Sequence, residues 1–507
     1  MSQRLLGIDV GTGGTRAVLI DGDGTVVGSC TSQHAPFRSP ETGWAEQDPH
    51  DWWRATCEAV KQVMAASETE PPEIAAVGFS GQMHGAVLLN DAGEVLRPAL
   101  IWCDQRTADE ARELTEQIGE EKIIAWTSNP ALTNFTLTKL LWVRKYEPEL
   151  FARFRTMLLP KDYVRYRMTG EYGMDMADAS GTLLLDVAHR RWSSQMANAT
   201  GIPVSALPPL FESTDVCATV SEAGAAATGL KQGTPVVAGA GDQAAGAVGL
   251  GIVTPGAVHA TIGTSGVVFA ATDRPALDPK GRLHTFCHAI PARWHVMGVT
   301  QSAGLSLRWF RDNFGTRSNE SRDLYDQLSD EAAAVPPGCD GVLWTPYLMG
   351  ERTPHLDPQA RAALIGLAAN HGRGHFVRAI MEGVAFSLRD SFSIFAEMKV
   401  PVTTIRLGGG GARSPLWRQI QADVYGHVVE VLQAEEGAAY GAALLAGVGR
   451  RIWSTVDEAC RRSVRVSEQI QPDPATNALM NQQYELYRRI YPALRDIRRN
   501  SKSSAVA

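Results

Sequence analysis

Leu5–Val10 and Arg16–Asp21 each read as an apolar or alternating strand, and the residues joining them, Gly11-Thr12-Gly13-Gly14, are too small to fill a core. This pattern predicts a β-hairpin whose small residues sit at the bend, where backbone approaches a partner closely or takes positive φ. A second Gly-rich turn, Asp21-Gly22-Asp23-Gly24, closes the segment. Far along the chain the pattern returns, with Ala257–Ala271 reading strand, Gly263-Thr264-Ser265-Gly266, strand. A repeat at such a distance implies two domains that each open with the same hairpin.

Between and after the hairpins, strand and helix periods alternate, which predicts α/β layers. Strands are expected at Ile74–Ser80, Thr234–Ala238 and Thr403–Leu407. Helices are expected at Gln105–Gly119, Leu137–Lys145, Ala303–Phe314, Gly374–Lys399 and Ser414–Tyr425, with a small-residue helix at Gly437–Gly447. Asp48-Pro49 marks another helix start, Asp as N-cap and Pro at the first helical position. The domain boundary is placed near Gly251–Pro255, giving domains 1–250 and 251–475. The remainder, 476–507, is a helix broken or kinked at Pro492 that packs back on the body and ends in a flexible basic tail.

The totals agree with two domains, because 507 residues exceed what a single core usually holds. A net charge of −7 argues against a nucleic-acid scaffold. The run Arg495–Lys502 is read as a solvated end. Seven scattered cysteines with no CxxC pair read as free thiols in a reducing compartment. His284 and Cys287-His288 lack a second ligand pair, so that segment is read as a core strand. No signal-peptide h-region and no membrane-length apolar run is evident, so a cytoplasmic protein is expected, without nucleic-acid or membrane partners and with a homodimer admissible.

The first hairpin carries the most chemistry. Its turn can offer backbone N–H groups and the Thr12 hydroxyl to phosphate oxygens, and Arg16 adds a fixed positive charge. Asp9, at the end of the preceding strand, is suited to hold Mg²⁺ through water. The second turn, with Gly263 and Thr264, makes the pair a nucleotide clamp. No Walker A pattern occurs. Val236–Ala244 fits the strand-GxGxxA dinucleotide pattern, but Asp242 would repel a pyrophosphate there and no acid follows to bind a ribose. Asp242 is instead the best placed general base, following a buried strand among small residues that let a substrate approach. Gly408–Gly411 with Ala412-Arg413-Ser414 reads as strand, glycines, helix, suited to adenosine and the α-phosphate. Trp102 and Trp309 are read as wall or core, and Glu351-Arg352-Thr353-Pro354 as a brace of the second domain without chemistry.

GIDVGT, GTSG and GGGGARS resemble the phosphate and adenosine motifs of the actin-like ATPase superfamily. Together with GAGDQAAGAVG they resemble the FGGY carbohydrate kinases, from about Leu5 to Gly447. Within that family Trp44–Pro49, Gly81-Gln82-Met83-His84-Gly85 and Leu159–Tyr163 look like the xylulokinase branch. The resemblance implies two actin-like (ribonuclease H-like) α/β domains with a catalytic cleft between them, ATP and Mg²⁺ as cofactors, and D-xylulose as substrate. It implies Asp242 as base and Asp9 on the Mg²⁺ side. Gln82, Met83, His84 and Gln243, together with Asp242, fall in the sugar pocket. Thr12, Gly13, Arg16, Gly263 and Thr264 fall on the phosphates, and Gly304, Arg308, Gly410, Gly411 and Ser414 on the nucleotide. The alternatives are a kinase of another ketopentose or polyol (ribulose, glycerol), or an actin-like ATPase that phosphorylates no sugar.

Overall fold

A computed structural model describes residues 3–315, 323–433 and 437–503, the last six of these by backbone alone. The chain forms two compact units. The first comprises 1–254, 271–295 and 435–464, and the second 255–270, 296–434 and 465–507. Residues 435–464, assigned by sequence to the C-terminal domain, therefore cluster with the N-terminal unit.

In the first unit the strand order is Val216–Thr219, Pro235–Val237, Ile74–Gly81, Arg4–Val10, Gly14–Ile20, Val26–Gln33. Arg4–Val10 pairs antiparallel with Gly14–Ile20 and parallel with Ile74–Gly81, bringing Asp9 beside both Arg16 and Ser80. The short strand Ala240–Gly241 also runs parallel to Ile74–Gly81, with Gly241 opposite Gly81. Three parallel strands thus end side by side at Val10, Gly81 and Gly241. Helix Pro49–Ala66 packs on one face of the sheet, its Asp48 accepting from the His50 N–H at 3.0 Å as an N-cap. Helix Gly437–Gly449 packs on the central strands and on the helix Asp242–Gly249. Only small residues permit that approach. A Cβ on Gly7 or Gly78 would overlap the Ala439 or Ala442 carbonyl oxygen, and one on Gly441 the Ala245 carbonyl.

The second unit's sheet runs Trp294–Thr300, Gly266–Thr272, Ala257–Ile262, Thr404–Gly409, Val429–Leu432, Val466–Ile470. The hairpin of Ala257–Ile262 and Gly266–Thr272 repeats the geometry of the first, again beside a parallel neighbour, here Thr404–Gly409. The long helix Arg373–Glu397 is the core of this unit, with buried residues along most of its length. The terminal segment is two helices, Pro474–Tyr487 and Ile490–Ser503. The break falls before Pro492, which lies in the first turn of the second helix, where its missing N–H costs nothing. Residues 504–507 of the expected basic tail lie outside the described residues, as do the side chains from 498 onward.

Because the Gly441 contact is backbone against backbone, Gly441→Ala is expected to destabilise the fold by about 1–3 kcal/mol or more. Thermal unfolding measures this; an unchanged Tm would contradict the close approach.

Candidate active site

The predicted residues fall into one set in each unit. In the first unit they lie at the carboxyl ends of the three parallel strands, the edge where open α/β sheets place their ligands. Thr12 and Gly13 follow the strand that ends at Val10, Gln82-Met83-His84 the one that ends at Gly81, and Asp242-Gln243 the one that ends at Gly241. Gly13 is exposed at the turn, while Asp9, Arg16, Asp242 and Gln243 are half-buried. Asp242 is the first residue of its helix, and Gly241 holds the cap position.

The two acids at this edge are electrostatically uncomfortable. Burial raises Asp9 above the usual carboxylate range, and a 2.9 Å hydrogen bond from the Ser80 hydroxyl and the charge of Arg16 pull it back. Burial, and then the neighbouring Asp9 charge, push Asp242 up to about 7, against hydrogen bonds from Gln243. A carboxyl with that pKa can both accept and hold a proton near neutral pH.

Gln82 is held rather than free. Its amide donates to Gln47 Oε1 at 2.9 Å and to the Gly11 carbonyl at 3.3 Å, and its own N–H donates to the Val10 carbonyl. The Thr12 hydroxyl donates to Gln82 Oε1 at 3.4 Å and accepts from the half-exposed Trp102 indole at 2.9 Å. His84 sits at φ 67° in the left-handed region. Its Nδ1 is 2.7 Å from the Gly181 carbonyl, so Nδ1 carries the proton, and Nε2 then accepts from the Asn134 amide at 3.2 Å. Phe135 and Phe286 pack on the ring. Both ring nitrogens thus already have protein partners, which sequence reasoning did not foresee.

Behind Gly81, Met83 and Gly241 lies a fully buried ion cluster. Lys161 is 2.6 Å from both Asp162 and Asp175 and 3.3 Å from Asp178. Burial raises Asp178 well above the carboxylate range, while the three acids raise Lys161. Asp178 Oδ1 and the Met83 side chain both lie against Gly241, where a Cβ would meet them at 3.1 and 2.8 Å. Leu159–Tyr163 was legible only as a family likeness; the acids Asp175 and Asp178 in an otherwise apolar run were its overlooked signal.

In the second unit the motifs also converge. Ile262 pairs with Gly409, so the Gly263-Thr264 turn and the glycine run emerge together. The run divides: Gly408 and Gly409 finish the strand, and Gly410–Ala412 form a 3₁₀ turn. Gly411 packs against Ile262, where a Cβ would clash at 2.6 Å. Ser414 caps the next helix, accepting from the Trp417 N–H at 3.3 Å. Gly304 N–H donates to the Gly263 carbonyl at 2.8 Å and Leu305 N–H to the Thr264 carbonyl at 3.1 Å, which fastens helix Gly304–Phe314 to the turn. Thr264 and Arg308 are exposed.

Each unit thus carries a Gly/Thr hairpin turn beside a parallel strand, and the first unit also carries a carboxyl raised to about 7. The FGGY family of carbohydrate kinases matches over its N-terminal domain at residues 4–249 and its C-terminal domain at 258–450, and the chain belongs to that family. It is a carbohydrate kinase with the two-domain actin-like fold, phosphorylating a sugar at the expense of ATP. The chain is 40% identical to the xylulose kinase of Bacillus subtilis, covering 98% of this chain and 99% of that protein. It is 38% identical to the xylulose kinase of Escherichia coli over 96% and 99%. The crystal structure of xylulose kinase from Rhodospirillum rubrum superposes with a TM-score of 0.91 at 31% identity, covering 98% of this chain and 99% of that one. Among the described residues no helix is long and apolar enough to cross a membrane.

A carboxyl whose folded pKa is raised costs stability once pH rises above its unfolded value, and the full cost is reached above its folded value. Asp242→Asn is therefore expected to raise Tm at pH 8, with the gain shrinking as pH falls and closing only below about pH 4, the unfolded value, where the wild-type carboxyl is protonated in both states. Equal Tm values at pH 8 would show that Asp242 is an ordinary, solvated acid.

Proposed function

We propose that the chain transfers the γ-phosphoryl group of ATP to D-xylulose, giving ADP and D-xylulose 5-phosphate. The substrate assignment rests on the curated relatives, xylulose kinases at near full length. The chemical assignment rests on one observation, the Asp242 carboxyl raised to about 7 at the strand edge, next to Gly241, against which the Met83 side chain packs. The first unit binds the sugar and the second binds ATP.

Asp242 accepts the proton of the attacking sugar hydroxyl as its oxygen closes on the γ-phosphorus. Gln243 beside it holds the carboxylate through hydrogen bonds that favour the charged form. Met83 forms an apolar wall adaptable in shape. The His84 imidazole, fixed by Gly181 and Asn134, shapes the pocket and meets a sugar hydroxyl only by sharing or exchanging the Asn134 contact. Thr12, Gly13 and Arg16 from one hairpin, with Gly263 and Thr264 from the other, hold the phosphates. Gly304, Arg308, Gly410, Gly411 and Ser414 line the nucleotide side.

The donor set fits Mg²⁺. Asp9, raised by burial and close enough to Asp242 to disturb it, gains most from a cation, and a hard ion suits a carboxylate. Bound Mg²⁺ would neutralise charge on the phosphate oxygens.

The reading is tested by ADP release over D-xylulose, D-ribulose and glycerol, with kcat/KM expected to be highest for D-xylulose. Equal or greater efficiency with either other sugar would overturn the substrate. In the same assay Asp242→Asn should lower kcat by about 10²–10⁴-fold with little change in KM for D-xylulose. A loss below about tenfold would remove Asp242 as base.

A further inference from the structure

Glu351 lies in the segment to which the sequence assigned no chemistry, and it is only 3% exposed. Within the second unit, strand Trp294–Thr300 leads through Gln301–Ala303 into the helix whose first two amides hold the Gly263-Thr264 turn. Glu351 ties down the start of that connection. The Thr300 hydroxyl donates to its Oε2 at 2.5 Å, and the Gln301 N–H to its Oε1 at 2.9 Å. The Arg352 N–H donates to the same Oε1 at 2.7 Å. Thr353 continues the strap, its N–H donating to the Val299 carbonyl at 3.0 Å and its hydroxyl accepting from the Val299 N–H at 3.1 Å. Thr300 already has a neutral partner in Ser387 Oγ at 2.7 Å, so a buried acid is not needed merely to satisfy its hydroxyl.

We propose that Glu351 is a positioning residue for the nucleotide: by holding Thr300 and Gln301 it fixes the loop that in turn holds the Gly263-Thr264 turn against the phosphates. This rests on the reading that the turn contacts ATP. The charge state of Glu351 then matters. Burial pushes it up to about 8, the three donors oppose this, and the charge of Asp390 adds to the rise. Tyr347 and Tyr487 also feel its charge, and both stay neutral, raised well above 10. Burial lowers Arg352 to about 10, so it remains positive up to there.

The test is calorimetric titration of a non-hydrolysable ATP analogue with Mg²⁺, and separately of D-xylulose, into full-length protein. Glu351→Ala should weaken the analogue about tenfold, the scale of a lost buried hydrogen-bond acceptor, and leave the D-xylulose Kd unmoved. Glu351→Gln, a neutral isostere of the protonated acid, should recover most of that loss at pH 7. A folded Glu351→Ala with wild-type affinity, or one losing both ligands in parallel, overturns the proposal. So does a Glu351→Gln variant that binds the analogue as weakly as Glu351→Ala. If Glu351→Ala does not fold, Thr300→Val carries the test, and its retention of full affinity likewise overturns the proposal. Thr264→Val separates the underlying reading: if it leaves analogue affinity unchanged, the turn does not contact nucleotide and both claims fall. If it weakens binding while the Glu351 variants do not, only the positioning role falls.

Discussion

Two carboxylates at one half-buried strand edge, Asp9 and Asp242, are the constraint around which the first unit is arranged. Neither can ionise cheaply, because burial removes water from both and the Asp9 charge acts on Asp242. The fold keeps them there by placing three parallel strands in register, so that Val10, Gly81 and Gly241 end together. Ser80 and Arg16 moderate Asp9, while Gln243 moderates Asp242. An arrangement that costs stability and sits where a sheet binds its ligands is the kind of local conflict that function explains.

The second unit repeats the same device with different contents. Its hairpin turn and its glycine run leave adjacent parallel strands, as the phosphate turn and the Gln82–His84 loop do in the first. Among the described residues no acid follows the ends of these two strands at Ile262 and Gly409. Backbone amides, a helix N-terminus fastened to the turn, and a buried glutamate behind the loop take that place. Under the proposed function the first unit manages a proton and the second a polyphosphate, and the local electrostatics of each agree with that division.

Much of this was legible from sequence because hairpins, glycine turns and caps are local. Asp48 at its cap, the two hairpins and the Ser414 helix start are each set by a few adjacent residues. The register was also accessible, since an apolar strand that ends in small residues fixes where the turn begins. Long-range partners were not accessible. Nothing near His84 in sequence announces Asn134 or Gly181, and nothing near Lys161 announces Asp175 or Asp178. The same limit explains the helix Gly437–Gly449, whose small residues signalled close packing without saying which unit it packs on. Glu351 was passed over because its distant partners are the Thr300 hydroxyl and the Gln301 backbone amide, which leave no residue pattern beside it in sequence.

The central claim is that Asp242 is raised by burial and by the charge of Asp9. Carboxyl-carbon NMR titration of aspartate-labelled enzyme without Mg²⁺, with Asp242 assigned by its loss in Asp242→Asn, measures this directly. An apparent pKa near 7 that falls in the Asp9→Asn variant is the predicted result. An Asp242 that titrates near 4, the ordinary value for an aspartate, whether Asp9 is present or replaced, would contradict it.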